Sequence, residues 1–140
     1  GTGRKVRSGS DIAILSIGPM GNYALKACEE LESRGISAAL YDMRFVKPID
    51  ELMLHEVFGK FKHVVTVEDG CLQGGMGSAV LEFMVDNGYT SQVKRLGIPD
   101  RLVEHGTQDE LYAECHYDAA AMVATCEEML HETIVEKRTA

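Results

Sequence analysis

The sequence predicts an α/β fold, a mostly parallel sheet lying between layers of helices. Three observations carry this reading. Short aliphatic or β-branched runs recur at residues 12–17, 36–41 and 64–67, apolar on both faces as a buried parallel strand requires, and a further short strand is expected at residues 93–98. Segments of helical period lie between them. Glycine-bearing turns separate the two kinds of segment, so the chain repeats strand, loop and helix as βαβ units do.

Residues 4–7 predict a short edge strand, with Ser8, Gly9 and Ser10 as the turn that follows. Residues 12–17 (IAILSI) form a buried strand, and residues 18–22 (GPMGN) a tight loop. The next helix buries Ala24, Leu25, Ala27, Cys28 and Leu31, turns Glu29, Glu30, Glu32 and Arg34 to water, and ends at Gly35. Residues 36–41 (ISAALY) are the following strand and residues 42–47 a loop. Pro48 stands near a helix start, and Asp50 is placed to cap a helix over residues 51–58.

The stretch 63–89 is central. Residues 64–67 are a strand, followed by Glu68 and Asp69 and by a loop holding Gly70, Gly74, Gly75 and Gly77. From Ser78 a helix turns Ala79, Val80, Phe83 and Met84 inward and stops at Asn87 and Gly88, because glycine enters the left-handed region without steric cost. Residues 93–98 are the last strand, closed by Pro99, and Leu102 and Val103 a brief extended piece. Thr107 and Glu110 have capping-box spacing for a short helix. Asp118 caps the final helix, which faces Met122, Val123, Cys126, Met129 and Leu130 inward; residues 136–140 are a charged tail expected to fray.

At 140 residues the chain is expected to be one domain. Hydrophobic residues at 45% and charged residues at 26% describe an ordinary soluble globule. The net charge of −8 argues against general affinity for nucleic acid or anionic membrane. No apolar run is long enough to span a bilayer. A start at Gly-Thr-Gly suggests a piece of a longer protein. Cys28, Cys71, Cys115 and Cys126 form no CxxC pair, which reads as reduced thiols and a cytoplasmic location. Cys115 and His116 are adjacent and point about 100° apart on a helix, a poor chelate.

Several residues invite a chemical reading beside a plainer one. The glycine loop could bind phosphate at its helix N-terminus. Val80 stands where a dinucleotide fingerprint needs Gly or Ala, and GxxxxGK[ST] is absent. The favoured reading is close approach of the helix start to the sheet or to a partner's backbone. Glu68 and Asp69 end a strand where open α/β sheets place ligands, yet such acids more often accept N–H bonds from the adjoining loop. His105 before Gly106 lacks any nucleophile motif, and Arg44 and Lys47 read as a solvated loop rather than a phosphate clamp.

Three segments resemble one family in order and spacing. Residues 42–50 (DMRFVKPID) are similar to the DMRFVKPLD segment of 1-deoxy-D-xylulose-5-phosphate synthases. Residues 65–78 are similar to their TVEE…GGxGS segment, and residues 96–110 to LGIPD…xHGTQ. The pattern is shared more loosely with the C-terminal domains of transketolases and of oxo-acid dehydrogenase β subunits. The resemblance implies a three-layer α/β/α domain with a five-stranded sheet, order 1-3-2-4-5, strand 1 antiparallel. It implies a larger homodimeric enzyme that uses thiamine diphosphate and Mg²⁺ to join pyruvate to glyceraldehyde 3-phosphate with loss of CO₂, for isoprenoid, thiamine and pyridoxal precursors. The family's diphosphate–Mg²⁺ segment (GDG continuing to Asn) is absent, since Asp69-Gly70 follows Glu68. No catalytic, cofactor-binding or metal residue is therefore assigned to this chain, which by itself is expected to be inactive. Glu68, Asp69, Gly74, Gly75, Met76 and Gly77 become an expected interface or domain-packing loop, against the missing N-terminal domains of the same chain or across the homodimer. The alternative is a small-ligand or regulatory module with its pocket between residues 18–22 and 70–77.

Overall fold

The computed structural model describes residues 2–98 and 118–139. Expectations for Pro99, Leu102, Val103, His105, the Thr107–Glu110 capping box, Cys115 and His116 lie outside the described residues. In chain order the elements are β1 (Arg4–Arg7), β2 (Ile12–Ser16), α1 (Met20–Ser33), β3 (Ala38–Asp42), α2 (Glu51–Lys60), β4 (His63–Cys71), α3 (Met76–Asp86), β5 (Gln92–Ile98) and α4 (Ala119–Thr139). The five strands form one sheet in the order β1-β3-β2-β4-β5. β1 runs antiparallel to β3, and the other pairings are parallel.

The order of the strands dictates the layers. From β2 the chain moves outward to β3 by way of α1, then back past β2 to β4 by way of α2. Right-handed crossovers in opposite directions place the two helices on opposite faces, and α3, continuing in the second direction, joins α2. The core divides accordingly. Ile12, Ile14, Leu40, Val65 and Val67 pack with α1 and α4. Ala13, Leu15, Tyr41 and Val64 pack with α2 and α3. Successive residues of each strand thus serve opposite layers, which is why these strands read as unbroken apolar runs.

Several boundaries differ from the sequence reading. α1 begins at Met20, inside the expected loop: Pro19 takes the N-cap position at φ −66°, and Met20 is wholly buried. β3 begins two residues later than expected, because the Ser37 amide is taken up by the Asp11 carboxylate at 2.7 Å rather than by a neighbouring strand. β4 runs on through Glu68 and Asp69 to Cys71, with a register irregularity against β5 between Val67 and Cys71. α3 starts at Met76, so Gly77 is helical and the glycine turn shrinks to residues 72–75. The expected caps are present: Asp50 accepts the Met53 amide at 3.0 Å, and Asp118 accepts that of Ala121 at 2.9 Å. The backbone of α4 is helical through Thr139, including most of the charged stretch from Glu136.

Candidate functional site

The best-built polar constellation surrounds the start of α3. Gly74 turns the chain at φ +72°, and Gly75 reaches the N-cap position extended, with no side chain to offer the helix. The first amides of α3 would be left without acceptors. Glu68, only 5% exposed, supplies them from β4: Oε2 accepts Met76 N–H at 2.7 Å and Oε1 accepts Gly77 N–H at 3.0 Å. The buried carboxylate is compensated by two charge-assisted bonds and by the positive end of the helix dipole. Arg95 on β5 donates from Nη1 to the Leu72 carbonyl and to Ser78 Oγ, both at 3.0 Å, while Ser78 Oγ donates to the same carbonyl at 2.7 Å.

Gly77 is required here by contact. A Cβ at this position would lie 2.7 Å from Thr66 Oγ1 and 3.0 Å from Arg95 Cδ, so the first helical turn rests directly on β4 and β5. Thr66 Oγ1 is buried beneath it with no hydrogen-bonding partner among the described residues.

This geometry separates the residues that the sequence grouped. Glu68, Met76 and Gly77 are buried inside the domain, Gly75 is half-buried, and Asp69 and Gly74 are exposed. Glu68 accepts backbone N–H bonds, as the plainer reading expected, but from the first turn of α3 rather than from the loop before it. Its position also argues against a phosphate at this helix start, because the incoming anion would meet a carboxylate already on those amides. A diphosphate held through Mg²⁺ does not fit these residues: among the described residues no three His, Cys, Asp or Glu side chains converge as a metal-binding group. Arg95, Ser78 and Thr66 were not singled out from the sequence. Arg95 stands beside Lys94 in β5, so nothing local in the sequence told the half-buried cation from the exposed one.

The other loops behave differently. A cavity of about 270 Å³ lies at Gly18, Gly21 and Asn22, but it opens toward Arg4, Leu40 and Asp42 and has no lining from residues 70–77. The two loops of the pocket alternative are not joined in that cavity. In the 42–50 loop Met43 is wholly buried, and its amide bonds the Ser16 carbonyl at 2.8 Å. Arg44 then adopts φ +60°, its amide held by Asp42 Oδ1 at 3.1 Å, and Phe45 is left 49% exposed. A non-glycine residue in that region costs on the order of 1–3 kcal/mol and persists where its surroundings impose it. The Lys47–Pro48 bond is cis. Cys28 and Cys126 are free thiols buried between α1 and α4, and burial pushes them up to about 11 and about 12, so neither supplies a thiolate near neutrality.

A three-layer domain with this strand order and its one antiparallel edge strand is of the transketolase type. Residues 1–122 match the family model for the transketolase C-terminal domain, and the chain belongs to that family. Among its relatives, the 1-deoxy-D-xylulose-5-phosphate synthase of Cytophaga hutchinsonii is 62% identical over 125 residues, covering 89% of this chain and 20% of that one. The synthase of Bacteroides thetaiotaomicron is 60% identical over 119 residues, covering 84% and 18%. The chain thus spans about one fifth of the length of these relatives. A solved structure described as a split gene transketolase, inactive β4 tetramer, superposes with a TM-score of 0.86 at 33% identity, over 93% of this chain and 42% of that one. A transketolase from Pichia stipitis gives 0.66 at 17% identity, over 92% and 18%, which is a likeness of fold alone.

Proposed function

We propose that this chain is the non-catalytic C-terminal domain of a 1-deoxy-D-xylulose-5-phosphate synthase and serves that enzyme by packing. The observation that carries this reading is the 62% identity over 125 residues to a relative of that name. The whole enzyme would use thiamine diphosphate and Mg²⁺, held outside this domain, to condense pyruvate with glyceraldehyde 3-phosphate. It would act as a cytoplasmic homodimer; the free, buried thiols Cys28 and Cys126 are in keeping with a reducing compartment. Within the domain, Glu68, Met76 and Gly77 fix the start of α3, while Asp69 at the end of β4 and Gly74 and Gly75 in the glycine turn are the residues that would meet a neighbour. These are packing roles, and no step of the reaction is assigned to them.

The test replaces the matched residues of the Cytophaga hutchinsonii synthase with this chain. The chimera is expected to make 1-deoxy-D-xylulose 5-phosphate from pyruvate and glyceraldehyde 3-phosphate, and the 140-residue chain alone to make none. A folded chimera without synthase activity would overturn the assignment, as would saturable turnover by the isolated chain.

A further inference from the structure

The geometry points to a docking face built by the 42–50 loop and the first turn of α2, whose occupant is the part of the longer polypeptide that precedes this domain in its relatives. This rests on the reading of the chain as a C-terminal domain and adds to it the face that makes the contact. Four observations converge. Phe45 is 49% exposed and Leu52, on the first turn of α2, is 84% exposed, so two of the described chain's few uncovered large apolar side chains flank one loop. That loop is not slack: buried Met43 anchors it, and Arg44 takes φ +60° with its amide on Asp42, which carries Phe45 outward from a fixed base. A groove of about 810 Å³ beside it has Pro48, Leu52 and Met53 in its lining together with the charged Lys5, Glu51 and Glu56. The Gly3 amide bonds Asp50 Oδ2 at 2.8 Å, so the polypeptide reaches the sheet across this same groove.

Charge selects the chemistry of the partner. Arg44 and Lys47 are exposed in this loop and form no ion pair among the described residues, whereas Lys5, which lines the groove, is paired with Glu56 at 2.8 Å. Asp42 and Asp50 are already engaged with backbone amides and Glu56 with Lys5, which leaves Glu51 as the opposing charge beside Leu52. The partner surface is therefore an apolar hollow for Phe45 and Leu52, rimmed by carboxylates. Because the relatives' chains are about five times longer than this one, a preceding domain is at hand to provide it.

Hydrogen exchange of residues 42–53, measured in the isolated chain and in the chimera described above, tests the proposal. Their amides are expected to exchange at least about tenfold more slowly in the chimera. Phe45→Ser with Leu52→Ser should remove that added protection while leaving the melting temperature of the isolated chain unchanged. Val85→Ser, at a 69% exposed site on α3, should alter neither. Equal exchange in both settings would overturn the proposal, and so would added protection that survives the double substitution. Sedimentation of the isolated chain covers the remaining occupant: a dimer abolished by Phe45→Ser would make the face a contact between copies, against the proposal. The outcomes separate from those of the functional reading, because an active chimera whose residues 42–53 are unprotected refutes the face alone.

Discussion

Glu68 closes a gap that three glycines open. Glycine at positions 74, 75 and 77 lets the chain turn sharply and lets α3 lie on the sheet, but it supplies no side chain to the helix start. A carboxylate eight residues upstream replaces the missing cap. Removing its charge should be felt in stability. Glu68→Gln keeps an acceptor for one amide only, and the expected loss is about 2 kcal/mol. Glu68→Ala leaves both amides without an acceptor and should lose more. Urea unfolding checks this: the midpoint should fall with the slope unchanged. A wild-type midpoint for both variants would show that the carboxylate does not hold the helix start.

Among the elements, α2 shows how one cap joins two parts of the fold. Asp50 Oδ1 accepts the Met53 amide and Oδ2 accepts that of Gly3, so the helix start and the approach to β1 share one carboxylate. The Met53 bond, then the Gly3 bond, holds the Asp50 carboxyl below its ordinary value. A depressed acid stabilises the folded state above the unfolded value, near 3.9, and that stability is lost as pH falls through the lower folded value. Asp50→Ala should therefore lower stability by about 1 kcal/mol at neutral pH. Wild type and variant should converge in acid, in thermal melts run from neutrality downward. A constant difference across that range would mean that the Asp50 charge is not what holds the cap.

For the whole molecule, the two apolar layers predict that the 140-residue chain unfolds as one unit. Circular dichroism of the backbone and near-ultraviolet signals from the tyrosines should give coincident thermal transitions. Separate transitions would show that the faces of the sheet hold independently. What the sequence made legible follows range of contact. Asp50 and Asp118 could be read as caps because their partners lie three residues away. The Gly77–Thr66–Arg95 contact could not, since it joins two strands and a helix whose relative placement no local pattern records. Strand alternation with helices was readable from period, whereas the order 1-3-2-4-5 came with the family resemblance. Glu68 was readable as an acid at a strand end, but the length of β4, which carries it inward, depends on pairing with β5.

The edge position of β1 has a bearing on how the chain fares in a crowded cell. Beneath it lies β3, whose Ala38, Ala39, Leu40 and Tyr41 are all at most 2% exposed. The covering strand is Arg-Lys-Val-Arg, short, basic and interrupted by a register shift between Lys5 and Arg7. Charge, brevity and irregularity are what discourage another strand from adding to an open edge. A chain beginning at Ser8 should therefore keep most of its core and yet lose solubility, its bare β3 edge recruiting further copies. Light scattering during refolding should rise with protein concentration in that variant and stay flat in the parent. Arg4–Arg7 would then be a guard against self-recruitment while the domain folds.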